Sequence, residues 1–248
     1  MDKILLIAGC SHAAGSEIDG SQDSEYNRRM CFGSQLALNL EYRPLNICVP
    51  GATNSSIARS VLKWFESEYD ENTQDVKVLV AWTDSTRIEV PADHANVYEL
   101  SCPNINWMDV TARMFYRVSL GADGPTAQQK KIFKYFHKHI ADYENMLEIQ
   151  TLIQILMLQY FFQQNNINYL MCNSMPVINT KNPHAEYYQS LINLNNYTDM
   201  HNPDEAFYFK YKKMGYTNPL AKYWHHGEEP HALYASHLLN FAKENKCL

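Results

Sequence analysis

Short apolar runs alternate with amphipathic stretches through the first third of the chain. Ile4 to Ala8 is unbroken apolar sequence closed by Gly9, which predicts a buried strand over residues 3–8. The polar, glycine-bearing stretch 12–29 predicts a loop. Phe32, Leu36 and Leu40 recur at helical spacing and predict a helix over 30–40. Leu45 to Val49 predicts a second strand, stopped by Pro50-Gly51. Ile57, Val61, Trp64 and Phe65 share one face of a helix over 54–69, with Asn54 or Ser55 as its candidate cap. Val76 to Trp82 predicts a third strand.

Strand and helix alternating at this spacing imply right-handed βαβ units, hence a parallel sheet with helices on both faces. Residues 86–127, with Pro91, Pro103 and Pro125, break the rhythm and predict an irregular insertion. A helical pattern over 128–164 follows, through Ile132, Phe136, Ile140 and Leu147. At about 1.5 Å per residue it exceeds the width of a sheet, so it projects past the core or breaks. A fourth strand is expected over 167–172, an irregular tyrosine-rich stretch over 173–224, and a closing helix over 230–243 started by Pro230. With no internal repeat, linker or low-complexity tract, residues 1–248 read as one domain with insertions at about 86–127 and 175–223.

The 248 residues are 46% hydrophobic and carry a net charge of −6, enough for a large core and without the basic face expected of a nucleic-acid binder. The six cysteines, at 10, 31, 48, 102, 172 and 247, have no metal-ligand spacing. Cys10, Cys48 and Cys172 end apolar runs, where free cysteine acts as a small buried hydrophobe, and the set implies a reducing, cytoplasmic setting. Leu6-Ile7-Ala8-Gly9-Cys10 imitates a lipoprotein cleavage box, but only Met1-Asp2-Lys3 and four apolar residues precede its small pair, too little for a signal peptide. The strongest apolar run, Leu152 to Phe162, contains Gln154 and Gln159 and falls short of the about 20 residues a spanning helix needs. No membrane partner is expected.

Ligands of open parallel sheets bind beyond the carboxyl ends of the strands. Ser11 follows the first strand, Gly51 and Asn54 the second, Thr83 and Asp84 the third. Near the other end stands Glu228-Glu229-Pro230-His231, with His237 six residues on. A serine exposed at such a turn becomes a nucleophile if an imidazole takes its proton and an acid orients that imidazole. Glu228 is the first choice for that acid and Glu229 its rival; a first-turn carboxylate also suits a helix dipole. No metal site is expected: His225-His226 would point to opposite sides of a strand, and His137 and His139 diverge on a helix. Gly9 to Gly15 lacks the lysine of a phosphate loop, and no cofactor is expected.

Together these blocks resemble the SGNH (GDSL-like) hydrolases. Gly9-Cys10-Ser11 stands where that family has Gly-Asp-Ser, Gly51 matches its second block, Ala81-Trp82-Thr83-Asp84 its Gly-x-Asn-Asp block, and Glu228-Glu229-Pro230-His231 its Asp-x-x-His block. The Gly-Cys-Ser and Trp-Thr-Asp-Ser variants are similar to a branch found among bacteriophage proteins, where a virion location is one possibility. The resemblance implies a three-layer α/β/α, flavodoxin-like fold. It also implies an esterase or deacylase with Ser11 as nucleophile, His231 as base and Glu228 as orienting acid. The N–H groups of Ser11 and Gly51 would bind the oxyanion, with the Thr83 hydroxyl replacing the family's amide; Asn54 is a second candidate for that amide. An ester of a small acyl group with an alcohol or sugar is the implied substrate. The alternatives are a binding or structural module that has lost efficient chemistry, and an acyltransferase using the same acyl-enzyme.

Overall fold

The computed structural model describes residues 1–91, 115–118, 143–177 and 182–248. Its first strand, β1 (Asp2–Gly9), lies inside the sheet because its apolar run can be covered on both sides. β2 (Arg43–Asn46) and β3 (Gln74–Trp82) flank β1, and β6 (Asn168–Asn173) pairs with β3. The order is therefore β2-β1-β3-β6, all parallel. β2 starts two residues before the expected Leu45, at Arg43-Pro44. Proline cannot donate to a ladder, but β2 is an edge strand and tolerates it. The Ile47 and Val49 N–H groups continue that ladder to the Ile7 and Gly9 carbonyls, at 2.8 and 3.1 Å.

Alternation along β1 divides the core. Ile4, Leu6 and Ala8 face the layer made by α4 (Asn54–Ser67) and α5 (Tyr143–Gln164), where Val61, Trp64, Leu152, Ile155 and Phe162 are buried. Leu5 and Ile7 face the opposite layer, where Phe32 and Leu36 of α3 (Phe32–Asn39) meet Tyr234 and Leu238 of α8 (Glu228–Asn245). The result is a three-layer α/β/α sandwich. Cys10, Cys48 and Cys172 are buried and free, as are Cys31 and Cys247. Among the described residues no helix is long and apolar enough to cross a membrane.

Several boundaries differ from the sequence expectations. The polar stretch after β1 holds two short helices, α1 (Ser11–Ala14) and α2 (Glu25–Met30). Thr53, not Asn54 or Ser55, caps α4: its hydroxyl accepts the Ser56 N–H at 3.1 Å, and the Ser56 hydroxyl accepts its N–H at 2.9 Å. The insertion at 86–127 contains an antiparallel pair, β4 (Ile88–Pro91) and β5 (Phe115–Val118). Of the long helix expected over 128–164, residues 128–142 lie outside the described residues. The stretch 173–224 carries α6 (Glu186–Ser190) and α7 (Phe207–Lys213), whose Phe207 and Tyr211 reach the core one turn apart. α8 begins at Glu228, capped by Gly227, so Pro230 sits inside its first turn, where its missing N–H has no helical partner to lose.

Gly33 lets α3 approach β1: a Cβ there would lie 2.6 Å from Ile7 Cγ2. Gly33→Ala is expected to lower the unfolding free energy by about 1–2 kcal/mol. Overpacking costs roughly 1–3 kcal/mol and exceeds the helix-propensity gain of up to about 1. Urea unfolding of the two proteins checks this; an equal or higher midpoint for the variant contradicts it.

Candidate active site

Ser11 opens α1 at the carboxyl end of β1 and is 8% exposed. Gly9 permits this turn: a Cβ there would lie 2.6 Å from Ala13 Cβ and 3.0 Å from the Ala81 carbonyl oxygen. Gly51 follows β2 with φ +76°, in open space, so conformation and not packing requires glycine. The N–H groups of Ser11 and Gly51 have no acceptor among the described residues. Thr83 follows β3, fully buried, its Oγ1 without a partner among the described residues.

Asn54 has a different task from those expected of it. Its Oδ1 accepts the Thr83 N–H at 2.9 Å, and its Nδ2 donates to the Thr83 carbonyl at 2.9 Å and to Thr151 Oγ1 at 3.2 Å. The amide clamps the loop after β3 to α5. With its hydrogen-bonding positions filled, it neither caps α4 nor swings toward Ser11.

The structure does not join His231 to Glu228. His231 Nδ1 accepts the backbone N–H of Phe32 at 3.1 Å, and its ring packs on those of Phe32 and Phe207. A base whose Nδ1 is oriented by a carboxylate must carry a proton there; here Nδ1 is an acceptor, so the neutral ring carries its proton on Nε2. Burial, then the nearby His226 and His225, push the imidazole down to about 3. Glu228 accepts instead from the Tyr26 hydroxyl, and Glu229 from the Tyr216 hydroxyl at 3.2 Å. Among the described residues no hydrogen bond joins His231 to Glu228, and none joins Ser11 to His231 or to His225. His237 Nε2 lies 2.7 Å from Asp199 Oδ2, and its ring stacks on Tyr234.

A different acid–imidazole pair stands at the same end of the sheet. Glu17 is fully buried with φ +65°, and its carboxylate is 2.6 Å from His225 Nδ1. It also accepts the N–H groups of Lys222 and Tyr223, both at 2.9 Å. Burial would raise this carboxyl, but the bonds from His225 and the two N–H groups hold it below the usual range. The carboxylate therefore accepts from Nδ1–H, which leaves Nε2 of a neutral His225 as an acceptor. His225 is pushed down by burial and by Arg87, against the pull of Glu17.

The His12 ring lies 4.8 Å from that of His225, and its Nδ1 is buried without a partner among the described residues. His226 Nε2 is 2.9 Å from the Tyr208 carbonyl, an N–H that donates. A cavity of about 390 Å³ beside the pair is lined by Tyr208, Lys212, Tyr216, Trp224, His225 and His226. In the sequence Glu17 falls within a polar stretch and His225 within an adjacent pair of histidines, so neither stands out. The available signal was position: His225 precedes α8 and sits in a loop, whereas His231 lies inside the helix.

Among the described residues, buried polar atoms without partners gather in this region. His12 Nδ1, Ser16 Oγ, Trp82 Nε1, Thr83 Oγ1 and Ser174 Oγ all lie at or beyond the carboxyl ends of β1, β3 and β6. Leaving such groups unpaired in a dry interior is costly. A larger groove of about 630 Å³, lined by Arg59, Phe65, Tyr69, Phe161 and Ile167, lies at the opposite end of the sheet, away from these groups. Among the described residues no group of three or more His, Cys, Asp or Glu side chains is placed to hold a metal ion.

No protein-family model and no curated protein matches the chain. Solved structures do. One is a psychrotrophic esterase, EstA, from Pseudoalteromonas sp. inhibited by monoethylphosphonate, at 11% identity, 98% coverage of both chains and TM-score 0.46. A putative lipolytic protein of the G-D-S-L family from Desulfitobacterium hafniense DCB-2 is 10% identical, covering 97% of this chain and 99% of its own, with TM-score 0.39. A carbohydrate esterase described as having divergent catalytic and non-catalytic binding functions is 9% identical, covering 98% of this chain and 65% of its own, with TM-score 0.43. Likeness at this level carries no argument about chemistry, which must be read from the site itself.

The buried imidazoles make stability depend on pH with a definite sign. Above about pH 6.5 His231 is neutral in both folded and unfolded chains and contributes no difference. Below that the unfolded chain takes a proton that the folded one refuses down to about 3, so stability falls as pH falls. The slope is about 1.4 kcal/mol per pH unit, or roughly 2 kcal/mol for His231 between pH 6.5 and 5. His12, His225 and His226 are lowered in the same direction and steepen the loss. Urea unfolding at pH 7 and pH 5 tests this above the carboxylate range; equal stabilities contradict a neutral, buried cluster.

Proposed function

We propose that this chain is a serine ester hydrolase with Ser11 as its nucleophile. The observation that carries the reading is the place of Ser11: it opens a glycine-permitted turn at the carboxyl end of an interior strand, next in sequence to a histidine packed in a group of buried, neutral imidazoles. A neutral imidazole can take the proton of an attacking hydroxyl, which a charged one cannot. The unpaired N–H groups of Ser11 and Gly51 and the unpartnered Thr83 hydroxyl are the proposed donors to the oxyanion. Ser11 attacks the acyl carbonyl, the alcohol leaves, and water releases the acid from the acyl-enzyme. The aromatic cavity wall of Tyr208, Tyr216 and Trp224 suits an ester of a small acyl group with an alcohol or sugar.

The missing link between His231 and Glu228 favours a second reading, a binding module on the same fold without efficient chemistry. An acyltransferase would share the acyl-enzyme and differ only in accepting an alcohol. Intact mass after treatment with a fluorophosphonate decides between chemistry and binding alone. A single adduct on the wild type, absent from Ser11→Ala, with p-nitrophenyl acetate hydrolysis reduced at least about a thousandfold in that variant, is the expected result. A folded wild type that takes no adduct, beside a control esterase that does, supports the binding module.

A further inference from the structure

We infer that His225, held by Glu17, is the general base for Ser11, in place of the His231 and Glu228 pair that the sequence suggests. The inference rests on the reading of Ser11 as a nucleophile and adds the partner that activates it. Glu17 lies six residues beyond Ser11 in the loop after β1, and His225 lies in the segment before α8, so two distant loops meet in one hydrogen bond of 2.6 Å. Two backbone N–H groups and the imidazole N–H keep the fully buried carboxylate charged and pointed at Nδ1. That fixes the tautomer a base needs, with a lone pair on Nε2. The His12 ring, one residue from Ser11, lies against His225, which also lines the 390 Å³ cavity where a substrate would enter. His226 and His231 have their protons on Nε2 and serve the fold.

The steps balance. As Ser11 Oγ bonds to the acyl carbon, its proton passes to His225 Nε2; as the ester C–O bond breaks, Nε2 returns that proton to the leaving alcohol. Water then attacks the acyl carbon and gives a proton to Nε2. Cleavage of the C–Oγ bond releases the acid, and Ser11 Oγ takes the proton back. His225 is the catalytic residue and Glu17 a positioning residue.

Burial, Glu17 from the loop after β1 and Arg87 from the loop after β3 set the titration of His225, and His12 of α1, His226 beside it, His231 of α8 and Lys212 across the cavity are the other titratable groups around it. Burial and Arg87 outweigh Glu17, so the active, neutral form persists below the usual histidine range. The test is the rate of fluorophosphonate labelling against pH for the wild type, Ser11→Ala, His225→Asn, His231→Asn, Glu17→Gln and Glu17→Asp, each with a cooperative melt as a folding check. The wild type is expected to label through a limb below pH 6.5, and His225→Asn at least about a hundredfold more slowly. Glu17→Gln should slow labelling and move the limb to still lower pH, because the anion that favours the imidazolium is gone. Glu17→Asp should restore part of the rate. A purely structural Glu17 would change the yield of folded protein and leave the limb in place.

A His225→Asn protein that labels as fast as the wild type, or a loss confined to His231→Asn, overturns the assignment and leaves Ser11 as nucleophile. A folded wild type that never labels overturns both. Should His225→Asn fail to fold, ¹⁵N spectra of the wild-type imidazoles decide: an Nδ1–H tautomer at His225 is expected, and an Nε2–H tautomer overturns the assignment.

Discussion

The buried carboxylate of Glu17 is the constraint on which the carboxyl end of this sheet depends. A carboxylate removed from water pays several kcal/mol unless its lone pairs are filled, and unmaking such a set of bonds costs more than its formation gains. Here the donors come from residues 222, 223 and 225, some two hundred positions away in sequence. Asn218 Nδ2 adds a bond of 2.8 Å to the Glu17 carbonyl. The loop after β1 and the approach to α8 are thus tied through one side chain. The backbone bends to permit it: Glu17 has φ +65° and Trp224, next to His225, has φ +70°. Non-glycine residues in that region cost about 1–3 kcal/mol each, which persists only where surrounding bonds over-determine the shape.

The second constraint is charge exclusion. His225 lowers His12, His226 and His231, His226 lowers His12 and His231, and Arg87 adds a fixed positive charge that acts on His12 and His225. Protonating several of these rings at once would place like charges in a largely dry enclosure. The cluster therefore works as a set of neutral donors and acceptors. Glu17 is the anion that counters it, and its pull on His225 is weaker than burial and Arg87 together. A proton arriving at His225 during a reaction would still find that carboxylate 2.6 Å away.

How much of this was legible in the sequence follows from which signals are local. The strands announced themselves because β1, β3 and β6 are buried on both faces and so carry unbroken apolar runs. Pro44 blurred the start of β2, and α1 is too short to show any period. α7 was lost among tyrosines and lysines, although Phe207 and Tyr211 one turn apart were there to be read. Ser11, Gly51 and Thr83 stand out in the sequence because ligands of such sheets bind beyond the strand ends, and the three residues follow β1, β2 and β3. The Glu17–His225 pair is not legible in the same way. A hydrogen bond between residues 17 and 225 has no sequence period, so nothing local distinguishes Glu17 from any other loop carboxylate.

His231 drew attention because an acid stands three residues before it, yet that spacing means something different inside a helix. Residues three apart on a helix share a face, but α8 spends this face on packing: His231 lies against Phe32 and Phe207, and its Nδ1 completes the unfilled start of α3 by accepting the Phe32 N–H. Glu228, at the first position of α8, is left to the Tyr26 hydroxyl. An imidazole so held cannot turn Nδ1 toward a carboxylate without stripping α3 of its cap and opening the Phe32–Phe207 contact. His225, six residues earlier, lies before the helix begins, where the backbone can present one ring nitrogen to a carboxylate and leave the other unclaimed. The same type of side chain thus meets a carboxylate in the loop before α8 and a backbone N–H inside the helix.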